Sequence, residues 1–242
     1  MNELLSCEAL TKCYQKDKTA LENVDLHIGF GRIVGLLGPN GSGKTTLIKL
    51  ANGLLQPSAG SIRIAGMTPG PDTKAIVSYL PDADWLPDWM RVEQLVEMFH
   101  EFYADFDPAK ANEMLARLEL EPKARLKTLS KGSKEKVQLI LAMSRAAKLY
   151  LLDEPIAGVD PAARDFILQT ILTNYSPEST VLISTHLIAD IEPVLDEVIF
   201  LKEGRVVRHD STDNIRGAEG KSVDEVFREV FRTIPMGGEW PC

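Results

Sequence analysis

The run Gly38-Pro39-Asn40-Gly41-Ser42-Gly43-Lys44-Thr45, with Thr46 directly after it, fits the spacing G-x-x-x-x-G-K-[ST], and that spacing has a physical reading. Glycines have no Cβ, so such a loop can curl until successive backbone N–H groups converge on one point, and a helix opening there adds the partial positive charge of its N-terminus. A polyphosphate suits this cradle: Lys44 would reach the β- and γ-phosphates and the Thr45 hydroxyl would ligate Mg²⁺. A second cluster stands more than a hundred residues downstream, where the apolar run Leu149-Tyr150-Leu151-Leu152 ends in Asp153-Glu154. A carboxylate at the end of a buried strand can hold a divalent cation, while the next one, at the lip, can orient and deprotonate a water. Asp153 is therefore assigned to metal and Glu154 to general base.

These groups need a frame. Val24, Leu26 and Ile28 alternate with polar residues as a half-buried strand does, and Arg32 to Leu37 is nearly all apolar, as expected of a strand covered on both faces. Thr45 to Asn52 has a helical pattern, and Gly53 stands where a left-handed cap would close it. Ile62 and Ile64 suggest a further strand and Ile76 to Leu80 another. Between Pro81 and Pro87 the composition turns rich in Pro, Asp and Trp, which reads as a subdomain boundary. Beyond it Val92, Leu95, Val96, Phe99 and Phe102 share a helical face, and Asp107-Pro108 opens a second helix through Ala111, Leu115 and Leu118. From Tyr150 an alternation of strands near 149–153, 180–184 and 197–202 with helices resumes, the rhythm of a parallel sheet. Both chemical clusters then lie at the carboxyl ends of strands, where open parallel sheets bind ligands. After Gly204 we expect a polar, glycine-containing loop and then an amphipathic helix. A Ser222 to Glu225 capping box opens that helix, with Val223, Val226, Phe227, Val230 and Phe231 on one face.

Composition narrows the field. The 242 residues are 44% apolar and 26% charged, which fits a folded globular chain. With 27 basic against 35 acidic side chains the net charge is −8, so no basic footprint for nucleic acid or an anionic membrane is present. Cys7, Cys13 and Cys242 form neither a CxxC pair nor a framework, and free thiols are expected. No window approaches the length of apolar residues that spans a bilayer, so membrane contact is expected only through a partner.

Together the phosphate loop, the Asp153-Glu154 strand and the helical insertion between them resemble the nucleotide-binding subunit of ATP-binding cassette transporters, from about Leu4 to Arg208. The resemblance implies an α/β fold: a P-loop NTPase core with a mixed, mainly parallel sheet and an inserted all-helical subdomain. Its expected parts are an ATP-binding core at 1–83 and 148–208, a helical signature subdomain at 84–147, and a C-terminal tail at 209–242. It implies further roles residue by residue. Leu129-Ser130-Lys131-Gly132-Ser133 stands at the family's LSGGQ signature, keeping Leu, Ser and the second Gly, and would contact the γ-phosphate held by an opposite subunit through Ser130, the Gly132 amide and the following helix N-terminus. Lys131 either adds charge toward that anion or is simply solvated. His186, after Ser184-Thr185, resembles the switch histidine that senses the γ-phosphate. Tyr14 resembles the ring that stacks on adenine, core packing being its rival role. Ala157-Gly158-Val159-Asp160 resembles the loop joining the catalytic strand to the dimer interface, and Asp160 before Pro161 also suits a helix N-cap.

The clearest departure is Asp82, in Tyr79-Leu80-Pro81-Asp82, where the family offers glutamine as a Mg²⁺ and water ligand. A carboxylate can still bind the ion, and it repels the γ-phosphate when metal is absent, which predicts a stronger Mg²⁺ dependence. Trp85, Leu86, Trp89 and Met90 beside it either fill the lobe's core or line a groove for a short helix of a transmembrane subunit. The resemblance thus implies an ATPase using ATP and Mg²⁺, paired with a second cassette as homodimer or heterodimer. It would drive a separate permease, export-type by its lysine-bearing signature and Asp82, from the cytoplasmic face of the membrane. A single-cassette ATPase for assembly or regulation and a nucleotide-binding module of low turnover are the alternatives.

Overall fold

In the computed structural model, which describes residues 3–15, 18–157 and 160–231, the doubly covered strand expected before the phosphate loop lies near the middle of a sheet. The elements run β1 (Glu3–Gln15), β2 (Lys18–Gly29), β3 (Ile33–Leu37), α1 (Lys44–Ala51), β4 (Ala59–Ile64), α2 (Pro71–Lys74) and β5 (Val77–Leu80). A helical stretch follows, α3 (Val92–Phe102), α4 (Pro108–Ala116) and α5 (Lys131–Met143). The chain then returns through β6 (Leu149–Asp153), α6 (Pro161–Asn174), β7 (Thr180–Thr185), α7 (Ile188–Ile191), β8 (Glu197–Lys202), β9 (Arg205–Ser211), α8 (Thr212–Glu219) and α9 (Val223–Phe231). Six strands form one sheet in the order β5-β6-β7-β3-β8-β9, parallel except for β9, and β2-β1-β4 form an antiparallel sheet.

Every residue of β3, β6 and β7 is buried, and their side chains divide with period two. Val34, Leu36, Leu149, Leu151 and Leu182 pack toward α1 and the smaller sheet. Leu37, Tyr150, Leu152, Val181 and Ile183 pack toward α5, α6 and the C-terminal helices. The lobe of α3 and α4 has its own core of Leu95, Phe99, Phe106 and Leu115. Helix α5 serves both: Val137, Ile140 and Leu141 face the lobe, while Leu139, Ala142 and Met143 face the sheet.

Two joints tie the lobe to the sheet. At the far end of α5, Arg145 is buried, pairs with Asp105 at 3.0 Å, and donates to the carbonyls of Val77 at 2.6 Å and Lys74 at 3.1 Å. Its guanidinium also lies 3.9 Å from the Tyr103 ring centre. Nearby Ser78 Oγ donates to the Ala142 carbonyl at 2.8 Å. At the near end, Lys134 reaches Asp88 at 3.0 Å and Gln138 donates to Asp84 at 2.9 Å, joining α5 to the segment 81–90.

Two local expectations are corrected, and one strand that the sequence left unread is added. The stretch after Gly204 is not a loop: Arg205–Ser211 pairs antiparallel with β8, and Thr212–Glu219 is helical. Only alternate residues of that edge strand are covered, so backbone pairing holds it rather than an apolar pattern. Strand β1 carries no clean alternation because its register with β2 shifts between Glu3 and Leu5 and between Cys7 and Leu10, with Ala9 at φ 45°, as bulges do. Phe102 is not on the buried face of α3 but 75% exposed, since the helix ends there and Tyr103 takes the place beside Phe99, 5.5 Å between ring centres.

The capping box at Ser222 is present, with Ser222 N donating to Glu225 at 2.8 Å and Glu225 N to Ser222 Oγ at 3.1 Å. Phe227 and Phe231 pack back against Phe200 of the sheet. Cys7 and Cys13 are free thiols, burial pushing Cys7 up to about 12, and Cys242 lies outside the described residues. Among those residues no helix is long and apolar enough to cross a membrane.

Candidate functional site

Strand order brings the site together. β5, β6, β7 and β3 are consecutive neighbours, with Leu80 level with Leu152, Asp153 with Ser184, and Leu37 with Thr185. The segments leaving their carboxyl ends therefore stand side by side: Pro81-Asp82, Glu154, His186 and the Gly38 loop.

That loop curls as its glycines allow. Gly41 and Gly43 have φ of 83° and 111°, and a Cβ on Gly43 would meet the Ala20 carbonyl at 2.5 Å, so both the turn and the close approach require glycine there. Ser42 is buried with its hydroxyl unpartnered, and Asn40 sits at the open side. Lys44, at the first position of α1, is 5% exposed and donates to the carbonyls of Gly38 at 2.7 Å and Pro39 at 3.3 Å, with Glu154 Oε1 3.2 Å away.

Asp153 is buried at the end of β6. Its Oδ1 accepts from Ser184 Oγ at 2.6 Å and Thr45 Oγ1 at 3.2 Å, while Oδ2 is buried without a partner. Burial raises its pKa, opposed by those two hydrogen bonds. Glu154 follows at φ 50°, a conformation uncommon outside glycine. Its amide donates to the Ser184 carbonyl and hydroxyl, each at 3.0 Å. The turn aims the carboxylate back over the sheet edge, between Lys44 and His186, whose Nδ1 lies 3.0 Å from Oε2.

An open cleft of about 270 Å³ is lined by Tyr14, Lys18, Asn40, Lys44, Thr45 and Glu154, among others. Tyr14 is 48% exposed, so it is not core, and its hydroxyl meets Thr46 Oγ1 at 3.2 Å. Asp82 lies on the rim of this cleft and also lines a neighbouring one of about 160 Å³. Burial, then the charges of Asp153 and Glu154, raise its pKa, while Lys131 and Lys44 oppose the rise. Burial with Asp153 and Asp82 also pushes Tyr79 up to about 12.

An orphaned buried carboxylate oxygen beside a hydroxyl, facing a glycine cradle, fits a small hard cation that keeps water and phosphate among its ligands. Among the described residues no three acidic, His or Cys side chains form a cation cage of their own.

The signature residues do not line the phosphate cleft of their own chain. Ser130 caps α5, accepting from Ser133 N at 3.2 Å and lying 2.9 Å from Ser133 Oγ. Gly132 has open space where a Cβ would stand. Asp160 precedes α6, its carbonyl accepting from Arg164 N at 3.0 Å; Gly158 and Val159 lie outside the described residues. The aromatic cluster divides: Leu86 is core, whereas Trp89 is 66% exposed and Trp85 partly so.

Sequence reasoning passed over Ser184, which fixes both Asp153 and the Glu154 amide. The available signal was a hydroxyl ending an otherwise apolar, fully buried strand, one residue ahead of Thr185 and His186.

Comparison with known proteins agrees. Residues 21–157 match the family profile described as ABC transporter. The ABC transporter ATP-binding protein YtrB of Bacillus subtilis (strain 168) is 32% identical over 199 residues, covering 81% of this chain and 68% of that one. The SkfA peptide export ATP-binding protein SkfE of the same organism is 29% identical, covering 98% of each chain. A solved structure of the ATP-binding subunit of an ABC transporter superposes with a TM-score of 0.83 at 30% identity, covering 95% of this chain and all of that one. By fold, site and relatives alike, the chain belongs to the ABC transporter family as a nucleotide-binding subunit.

Proposed function

We propose that this chain binds ATP in the cleft between Tyr14 and Glu154 and hydrolyses it, and that the cycle drives a separate transmembrane permease. The supporting observation is the polar chain across the ends of three neighbouring strands, β6, β7 and β3, in which Glu154 lies within 3.2 Å of Lys44 and 3.0 Å of His186. Backbone N–H groups between Asn40 and Thr46 take the phosphates, and Tyr14 offers its ring to adenine. Thr45, Asp153 and Asp82 would hold Mg²⁺, which when bound neutralises charge on the β- and γ-phosphates.

A γ-phosphate entering beside Lys44 competes for its ammonium, drawing Nζ away from Glu154. That carboxylate is then available to accept a proton from the attacking water, with His186 hydrogen-bonding the γ-phosphate. Ser130, Lys131, Gly132 and Ser133 would complete the site of a second cassette, Asp160 lying toward the shared interface. Nucleotide then favours the closed pair by its differential affinity for that state, and hydrolysis reopens it. The core at 1–83 and 148–208 would carry the chemistry and the lobe at 84–147 the signature, with the described helices of the tail, α8 and α9, packed on the core. Export is the direction carried by the name of the relative SkfE, and the permease would hold the chain at the cytoplasmic face.

Steady-state ATPase measurement tests the reading. Glu154→Gln should lower turnover by about 10²-fold or more while ATP still binds. An unchanged rate, or failure of the wild-type chain to retain ATP, overturns it. Co-purification with a multi-span membrane protein tests the partner.

A further inference from the structure

The first two turns of α5 present Lys131, Glu135 and Gln138 at i, i+4 and i+7, one stripe of the helix. All three line the cleft of about 160 Å³ that opens beside the nucleotide site, opposite Asp82 and Asp84. Five carboxylates meet there, from Asp82, Asp84, Glu135, Asp153 and Glu154, and Lys131 is the one cation among the described lining residues. Most of those carboxylates are otherwise engaged: Asp84 accepts from Gln138, Asp153 from Ser184 and Thr45, and Glu154 is paired with Lys44 and His186. Lys131 Nζ stands 3.7 Å from Glu135 Oε1, and the other oxygen of Glu135 is buried without a hydrogen bond. Asp82 and Glu154 form the wall common to this cleft and to the one lined by Lys44 and Thr45.

We infer that Lys131, whatever it adds to a facing cassette, also acts within its own chain, as a positioning residue that neutralises Glu135 beside it on α5 and Asp82 across the cleft and so sets how strongly the nucleotide site repels a triphosphate before metal arrives. The inference rests on the reading of the larger cleft as the ATP site. Its physical content is Coulombic. A triphosphate held by Lys44 lies beside Asp82, Asp153 and Glu154, and among the described residues the cation that α5 contributes to the cleft lining is Lys131. The direction of the Asp82 pKa shift agrees, since burial and the neighbouring acids raise it and Lys131 opposes them. Because the Lys131 side chain is 73% exposed, water and salt limit the effect to about two- to fivefold in affinity.

The test is equilibrium binding of ATP to the full chain in EDTA and low salt, at concentrations where it is monomeric, so that no second cassette contributes. Lys131→Gln should weaken binding about two- to fivefold, and Lys131→Arg should retain wild-type affinity. In an Asp82→Asn background the Lys131→Gln effect should shrink to less than half its size. An equal effect with either residue at position 82 overturns the inference. So does unchanged monomer binding, including the case where only ATP-dependent pairing is altered and the lysine serves another chain's nucleotide. Failure of the wild-type chain to bind ATP at all is a separate result, and it removes the proposed function itself.

Discussion

Helix α5 is fastened at both ends, and its two fastenings differ in kind. At its carboxyl end the joint is buried: Arg145 reaches Asp105 and the carbonyls of Val77 and Lys74, with Ser78 bonded to Ala142. At its amino end the joint consists of Gln138, itself buried, with Asp84, and of the more exposed pair Lys134 with Asp88, the Asp88 side chain 63% exposed. A buried, multiply bonded cation is costly to move because any partner it leaves is stranded without water. Exposed pairs exchange with solvent at little cost. The difference predicts that α5 yields first at its signature end and last at Arg145, as a lever with its pivot there would.

The strongest test of this contrast is Arg145→Met, which leaves Asp105 and several carbonyls unpaired. It should destabilise the chain by about 3–5 kcal/mol in urea unfolding, and a loss under 1 kcal/mol would mean the buried end is no pivot. Ser78→Ala removes one neutral bond at the same joint and strands the Ala142 carbonyl, so about 1–3 kcal/mol is expected. Lys134→Gln, at the other end, should cost at most about 1 kcal/mol in low salt, and the difference should fade as ionic strength rises. A salt-independent loss as large as that of Ser78→Ala would erase the distinction between the ends.

What the sequence disclosed followed the strength of local patterning. β3, β6 and β7 are mostly apolar, and polar or glycine-rich segments stand at or just beyond their carboxyl ends, so the strands and the groups that follow them, Lys44, Asp153, Glu154 and His186, were legible together. The glycines at 41 and 43 announced a backbone that side chains rarely adopt. Strand β1 was hidden by its bulges, and β9 by an edge position where ladder hydrogen bonds do the work of an apolar face. Ser184 was visible but unassigned, because its importance depends on the level register of β6 and β7, and register between distant strands leaves no mark on either one. The surroundings of Lys131 were equally closed to inspection, since they require knowing that α5 lies along segment 81–90.

The placement of β3 bears on how the molecule comes into being. Ile33 to Leu37 is flanked by β7 and β8, both synthesised long after it, so during translation this apolar strand waits with neither neighbour available. The emerging polypeptide therefore passes through a stage in which its stickiest segment is uncovered and prone to association. The phosphate cradle is secured on its sheet only once the carboxyl-terminal third has left the ribosome, so ATP can reward complete chains and offers nothing to truncated ones.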